Sequence, residues 1–217
     1  MTLVDGAPTE IMTSPPIAYL LAAMLSWRPS HEASPFHAAR ETQAETRARY
    51  LEIAIASYRA AMEHPIRLGT KDDALATALE MLGVAFEENG FRKDVQDGRV
   101  VAGGSWCLWS LNIGKGRTQE GWSGPELVAD IDKCAAAGLR AMRQSWGCGA
   151  LEDRLTPFAS GQCVTARNEG EVVGGPMIRA LSRARVMRGI GYWWSHPYGR
   201  WVASHCEAQD GGEVNCT

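Results

Sequence analysis

Between Thr70 and Gly90 the apolar residues Leu75, Ala78, Leu79, Leu82 and Phe86 recur at three- and four-residue steps, the spacing of one helical face, and Gly90 stops the pattern. A helix with that much apolar surface must be covered by other elements, so it constrains everything built around it. Thr70, with Asp73 three residues on, resembles a capping box at its start. Beyond Gly90 the pattern changes. Gly98, Gly103 and Gly104 punctuate a turn-rich region in which Val100 and Val101 are expected to form a short hairpin strand.

Other helices are expected on both sides. From Glu41 to Glu63 the positions Ala44, Ala48, Leu51, Ile55, Tyr58 and Met62 keep helical spacing, and Pro65 closes the helix. Ser123 and Glu126 make a second capping box, opening a helix over about 124–144 whose apolar face is Leu127, Ile131, Cys134, Gly138, Leu139 and Met142. A shorter helical piece around Leu151–Ala159 is interrupted near Pro157, and Pro176 opens another carrying Arg179, Arg183 and Arg185. The tail from Tyr192 is rich in Trp, Gly and His and has no period. The fold class expected is α+β and predominantly α-helical.

At 217 residues, 45% hydrophobic and 22% charged, the chain can bury one good core. Residues 1–40 hold Pro8, Pro15, Pro16, Pro29 and Pro35 around one short apolar segment, which reads as an N-terminal docking arm lying on a partner or on its own domain. The body is expected over 41–191 and a Trp- and Cys-containing tail over 192–217. A net charge of −3, with no Lys/Arg block interleaved with aromatics, gives no general attraction to nucleic acid. The longest apolar run, Ile17–Leu25, is far short of the roughly 20 residues of a membrane span. Asp5 and Glu10 precede it and no Lys or Arg comes before Arg28, so an ordinary Sec signal is not expected.

The six cysteines, Cys107, Cys134, Cys148, Cys163, Cys206 and Cys216, all lie in the second half. None forms a C-x-x-C pair, so neither a metal site nor a thioredoxin-like site is expected, and no cofactor is implied. Outside a reducing cytosol at least two bridges are expected, Cys134 with Cys148 and Cys206 with Cys216. A loop of about 15 residues closed in this way adds roughly 3 kcal/mol.

The candidate chemistry centres on Glu88. In the last turn of an apolar helix it meets the negative end of the helix dipole, and burial against Phe91 or Trp109 acts in the same direction, raising a carboxyl pKa toward that of a general acid. Glu87, about 100° round the helix, points elsewhere. Asp94 and Asp97 are the nearby acids that a two-carboxylate hydrolysis would need, and both read as solvated loop residues. Trp106, Trp109 and Trp122 are the aromatics available to a saccharide groove, Trp109 foremost. "NIGKGRT" is no phosphate loop, because Gly116 follows Lys115 where Ser or Thr is required. No G-x-S-x-G supports a serine hydrolase.

Glu88-Asn89-Gly90-Phe91, Cys107-Leu108-Trp109-Ser110 and Phe158-Ala159-Ser160-Gly161, in that order, resemble the Glu-Ser-Gly-Phe, Gly-Leu-Met-Gln and Ala-Tyr-Asn-Ala-Gly motifs of the lytic transglycosylases of the lysozyme superfamily. The resemblance covers residues 70–187 and implies a lysozyme-like fold, with Glu88 as the catalytic residue. Asn89, Phe91, Leu108, Trp109, Ser110, Phe158 and Ser160 would bind substrate, and peptidoglycan would be the partner, with no metal and no cofactor. Asn89, Ser110 and Phe158-Ala159 depart from the family's Ser, Gln and Tyr-Asn, which bears on how the glutamate and the sugar are oriented. Together with the absence of a Sec signal, the resemblance leads to a phage enzyme, either a virion component docked through residues 1–40 or an endolysin, acting at the periplasm or cell wall. The competing expectation is a degenerate lysozyme-like domain serving as a structural or wall-binding part of a larger assembly.

Overall fold

The computed structural model describes residues 14–28, 41–101, 103–146, 155, 157 and 158, together with the backbone of 206–208 and 214–216. The elements are α1 (Pro15–Trp27), α2 (Gln43–Glu63), α3 (Asp73–Asn89), α4 (Lys93–Gln96), β1 (Ser105–Trp106), β2 (Leu111–Asn112), α5 (Gly124–Ala129), α6 (Ile131–Gln144), β3 (Cys206–Ala208) and β4 (Val214–Cys216). The described residues are mostly helical with small two-stranded sheets, an α+β arrangement. None of their helices is long and apolar enough to cross a membrane.

α3 is the centre. Every residue from Leu75 to Ala85 is buried, not one face alone, because α1, α2 and α6 pack around it. The helix starts at Asp72, whose carboxylate accepts from Leu75 N at 2.9 Å, rather than at Thr70. Thr70 instead donates both its backbone N–H and its hydroxyl to Asp73 Oδ1, each at 2.9 Å, and braces the approach.

α2 opens on a capping box, Thr42 N to Glu45 Oε2 at 2.7 Å and Glu45 N to Thr42 Oγ1 at 3.2 Å. It runs antiparallel to α3. Arg49, near its start, donates from Nη1 to Phe91 O at 2.9 Å, just past the end of α3. α2 buries Thr46, Tyr50, Ile53, Ala54, Ala56, Ser57, Ala60 and Ala61; of the expected stripe, Leu51, Ile55 and Tyr58 pack partly buried against the core, whereas Ala44, Ala48 and Met62 are exposed. Ala and Ser among the buried residues let helices approach closely, and α2 packs against α1, α3 and α6.

α1 buries Ile17, Tyr19, Leu20, Leu21, Ala23 and Met24 in the same core as α3. The apolar run of the expected arm thus lies on its own domain. Val100 and Val101 form no strand and are 40% and 36% exposed. The N–H groups of Arg99 and Val100 both turn back to Asp94 O, which wraps this segment around the end of α4. The hairpin lies further on, with Ser105 opposite Asn112 and Trp106 opposite Leu111.

The single helix expected over 124–144 is two. Ser123 N and Oγ both donate to Glu126 Oε2, at 2.8 and 2.6 Å, as a capping box does. Asp130 then leaves the helix at φ −140° and caps α6, accepting from Asp132 N and Lys133 N at 3.1 Å each. A second cap within the run is what splits it.

Among the described residues the bridge is Cys107–Cys134, which ties the hairpin's turn to α6 and corrects the expected pairing of Cys134 with Cys148. The β3–β4 register places Cys206 opposite Cys216. Cys148, Cys163, the Pro176 helix with Arg179, Arg183 and Arg185, most of the Leu151–Ala159 piece, and the boundaries at 40/41 and 191/192 lie outside the described residues.

Candidate functional site

The site begins where α3 stops. Glu88 stands partly buried in the last turn and its neighbour Glu87 is exposed, the separation that a 100° step between helical neighbours requires. Gly90 terminates the helix in the left-handed conformation at φ 61°, its N–H bonded to Phe86 O at 2.6 Å.

Asn89 joins this terminus to the next segment. Its Nδ2 donates to Leu108 O at 2.5 Å, and its Oδ1 accepts from Arg92 N at 3.3 Å. The side-chain amide therefore holds the 107–110 turn against the end of α3, next to Glu88. The turn itself closes through Ser110 N to Cys107 O at 3.0 Å.

Three non-glycine residues here adopt positive φ: Phe91 at 55°, Cys107 at 54° and Ser110 at 51°. Each such residue stores roughly 1–3 kcal/mol of strain and persists only where its surroundings over-determine it. The surroundings are visible for two of them. Cys107 is held by its bridge. Phe91 is 1% exposed, with ring centroids 6.4 Å from Trp27, 5.3 Å from Tyr50 and 5.7 Å from Phe86.

Burial corrects several expected sugar contacts. Phe91, Leu108 and Trp109 are at most 1% exposed, so their side chains build the wall beneath the site and do not touch a ligand. Trp109 Nε1 donates to Met81 O at 2.9 Å, and its ring lies against Gly138, where an added Cβ would stand 2.8 Å from Trp109 Cγ. Trp106 is half-buried over Gly124 and donates from Nε1 to Gly114 O at 2.9 Å. Trp122 stands on the loop before α5 and lines a cavity with Leu139, Arg140 and Arg143. Phe158 is half-buried against the core, with its N–H on Leu155 O at 3.2 Å; Ser160 lies outside the described residues. Of the expected residues at this helix end and turn, Glu88, Asn89 and Ser110 are the partly exposed ones.

Asp94 is not a solvated loop acid. It is 6% exposed and takes a two-pronged bond from Arg92, Nε to Oδ1 at 3.0 Å and Nη2 to Oδ2 at 2.5 Å. That bond holds the Arg92 guanidinium pKa above its ordinary value. Asp97 bonds Lys93 Nζ at 2.8 Å and lies 3.6 Å from Arg99 Nε.

The residue that sequence reasoning missed is Glu80. It lies in the middle of α3 at 0% exposure, and neither carboxylate oxygen has a hydrogen-bond partner among the described residues. Burial drives its pKa well above the ordinary carboxylate range. The signal was present: Glu80 is the one charged side chain between Asp73 and Glu87. Full burial excludes contact with a polymer. Among the described residues no group of three or more His, Cys, Asp or Glu is placed to hold a metal ion.

Comparisons of the chain with protein-family models, with curated proteins and with solved structures find no match.

Proposed function

We propose that the chain is a lysozyme-like glycan-cleaving domain that acts on peptidoglycan as a lytic transglycosylase, with Glu88 as its single acid and base. The observation that carries the reading is the 2.5 Å bond from Asn89 Nδ2 to Leu108 O, which brings two of the three resembled motifs into one place beside Glu88. Cys107 occupies the position of the motif's glycine and has φ 54°, a conformation that glycine adopts readily and other residues seldom do. Trp109 occupies the position of the motif's methionine and is buried like a core residue.

In this chemistry Glu88 gives its proton to the oxygen between N-acetylmuramic acid and N-acetylglucosamine as the C1–O bond breaks. The C6 hydroxyl of the same muramic residue then closes on C1 and returns a proton to Glu88, leaving a 1,6-anhydro end and consuming no water. A hydrolase would need a second carboxylate about 5–9.5 Å away. Asp94 and Asp97, the nearby candidates, are each held by a cation, which favours the one-carboxylate route. The virion or the bacterial wall is the place of action consistent with such a substrate.

Purified wall incubated with the protein and analysed by mass should yield muropeptides one water lighter than lysozyme products. Reducing-end products would move the assignment to a hydrolase. A second reading, a lysozyme-like domain serving as a structural or wall-binding part of a larger assembly, is favoured by the burial of Phe91, Leu108 and Trp109, which leaves few side chains to grip a sugar. It predicts a folded protein that leaves the wall intact.

A further inference from the structure

A cavity of about 290 Å³ opens between the end of α2, the 117–123 loop and α6, and no residue of α3 or of the hairpin lines it, so it is separate from the Glu88 site. Its floor is apolar and made roomy by Ala60 and Ala136. Around that floor stand the Trp122 ring, Glu63, His64, Glu120, Arg140 and Arg143.

The walls are set before any ligand arrives. Thr118 N donates to Trp122 O at 2.8 Å and Trp122 N to Thr118 Oγ1 at 3.2 Å, so the loop carrying the indole is closed on itself. Lys133 Nζ lies 6.0 Å from the Trp122 ring centroid and fixes it further. Arg140 donates from Nη1 to Gln119 Oε1 at 2.7 Å and from Nη2 to Glu120. Its Nε–H is buried and has no partner among the described residues. Arg143 and Glu63 are exposed at the rim, and neither forms an ion pair among the described residues.

These features select a ligand. Two arginines against two glutamates leave no net charge, which gives a phosphate, a sulfate or an isolated carboxylate no advantage. A flat indole beside paired donors and acceptors suits a ring with a C–H face and a hydroxyl edge. The volume of about 290 Å³ lies just below the roughly 300–1,000 Å³ range of small-molecule sites, enough for a short ligand only. We infer that this cavity is a non-catalytic saccharide site taking one or two uncharged, hydroxyl- or acetamido-bearing sugar rings. It rests on the proposed function only for the identity of its natural ligand, the wall glycan, which it would hold while Glu88 works elsewhere along the strand.

The test is titration of the full chain with N,N′-diacetylchitobiose, followed by tryptophan fluorescence and amide shifts, with inorganic phosphate as the control. Saturable binding that weakens about tenfold in Trp122→Ala and is largely kept in Trp122→Phe is expected. Arg143→Ala, an exposed change that leaves the fold alone, should also weaken it, and decides the matter if Trp122→Ala does not fold. Glu88→Gln should bind as the unmutated chain does. The inference is overturned if no saccharide binds up to roughly 10 mM, if phosphate displaces it, or if folded Trp122 and Arg143 variants bind unchanged. A chain that binds here yet leaves the wall uncut would sustain this site and defeat the proposed activity.

Discussion

Glu80 and Glu88 show how eight residues along one helix give two carboxyls opposite situations. Glu80 lies where α3 is enclosed on all sides, and Glu88 lies where the helix emerges. Because the folded pKa of Glu80 is raised above its ordinary value, the native chain keeps a proton that the unfolded chain gives up. Stability therefore falls as pH rises from the ordinary carboxylate range toward the raised value, and is flat below that window. Glu80→Met fills a similar volume without the unpartnered oxygens. It should raise stability by about 1–3 kcal/mol near pH 4, or about 3–10 °C in Tm for a chain of this size, and by more at neutral pH, where the proton that the native carboxyl retains costs further stability. Melting curves across that range check this, and a Met variant less stable than the parent at pH 8 would contradict it. Periodicity could not have found Glu80, since it reads one stripe of a helix and α3 is buried all round. The interruption of an apolar run by a lone charge was the legible sign.

At the scale of elements, one cap was read and the partners were not. Ser123 with Glu126 acts within three residues of chain, so local sequence sufficed to place it; the cap expected at Thr70 falls instead at Asp72, and the box of Thr42 with Glu45 was not singled out. The buried face of α2 depends on which neighbours it meets, and Ala54, Ser57 and Ala61 are buried while Met62 faces water. The Cys107–Cys134 bridge is non-local in the same sense: spacing suggested a short loop, whereas the fold brings the hairpin's turn to α6 across 27 residues. Closing a loop of that size contributes roughly 3–4 kcal/mol by constraining the unfolded chain. Cys107→Ala with Cys134→Ala should lower the unfolding free energy by about that amount in denaturant titration. A double variant as stable as the parent would show that the Asn89 bond and hairpin packing alone fix the turn. Of the candidate site, the order of Glu88, Asn89 and the 107–110 turn was legible. That Phe91, Leu108 and Trp109 serve as its buried wall was not, because a motif aromatic reads the same whether it meets sugar or core.

For the whole molecule, α1 belongs to the core and is no detachable arm. Each fully buried large apolar side chain is worth about 1.5–3 kcal/mol, so losing Ile17, Leu20, Leu21 and Met24 removes an amount comparable to the roughly 5–15 kcal/mol that stabilises a domain. Deleting residues 1–28 should therefore give a chain without a cooperative melt, measured by circular dichroism; a truncated chain that melts like the parent would return the segment to the role of an appendage. The central claim is that this folded body presents Glu88 for acid and base catalysis beside a turn held by Asn89. Its most direct test is release of soluble muropeptides from purified wall by the full chain, by Glu88→Gln and by Glu87→Gln, with matched melting curves. Glu88→Gln should lower the rate by about 10²–10⁴ while Glu87→Gln stays near the parent rate. Equal rates for the parent and Glu88→Gln, in protein that is folded by its melt, would contradict it.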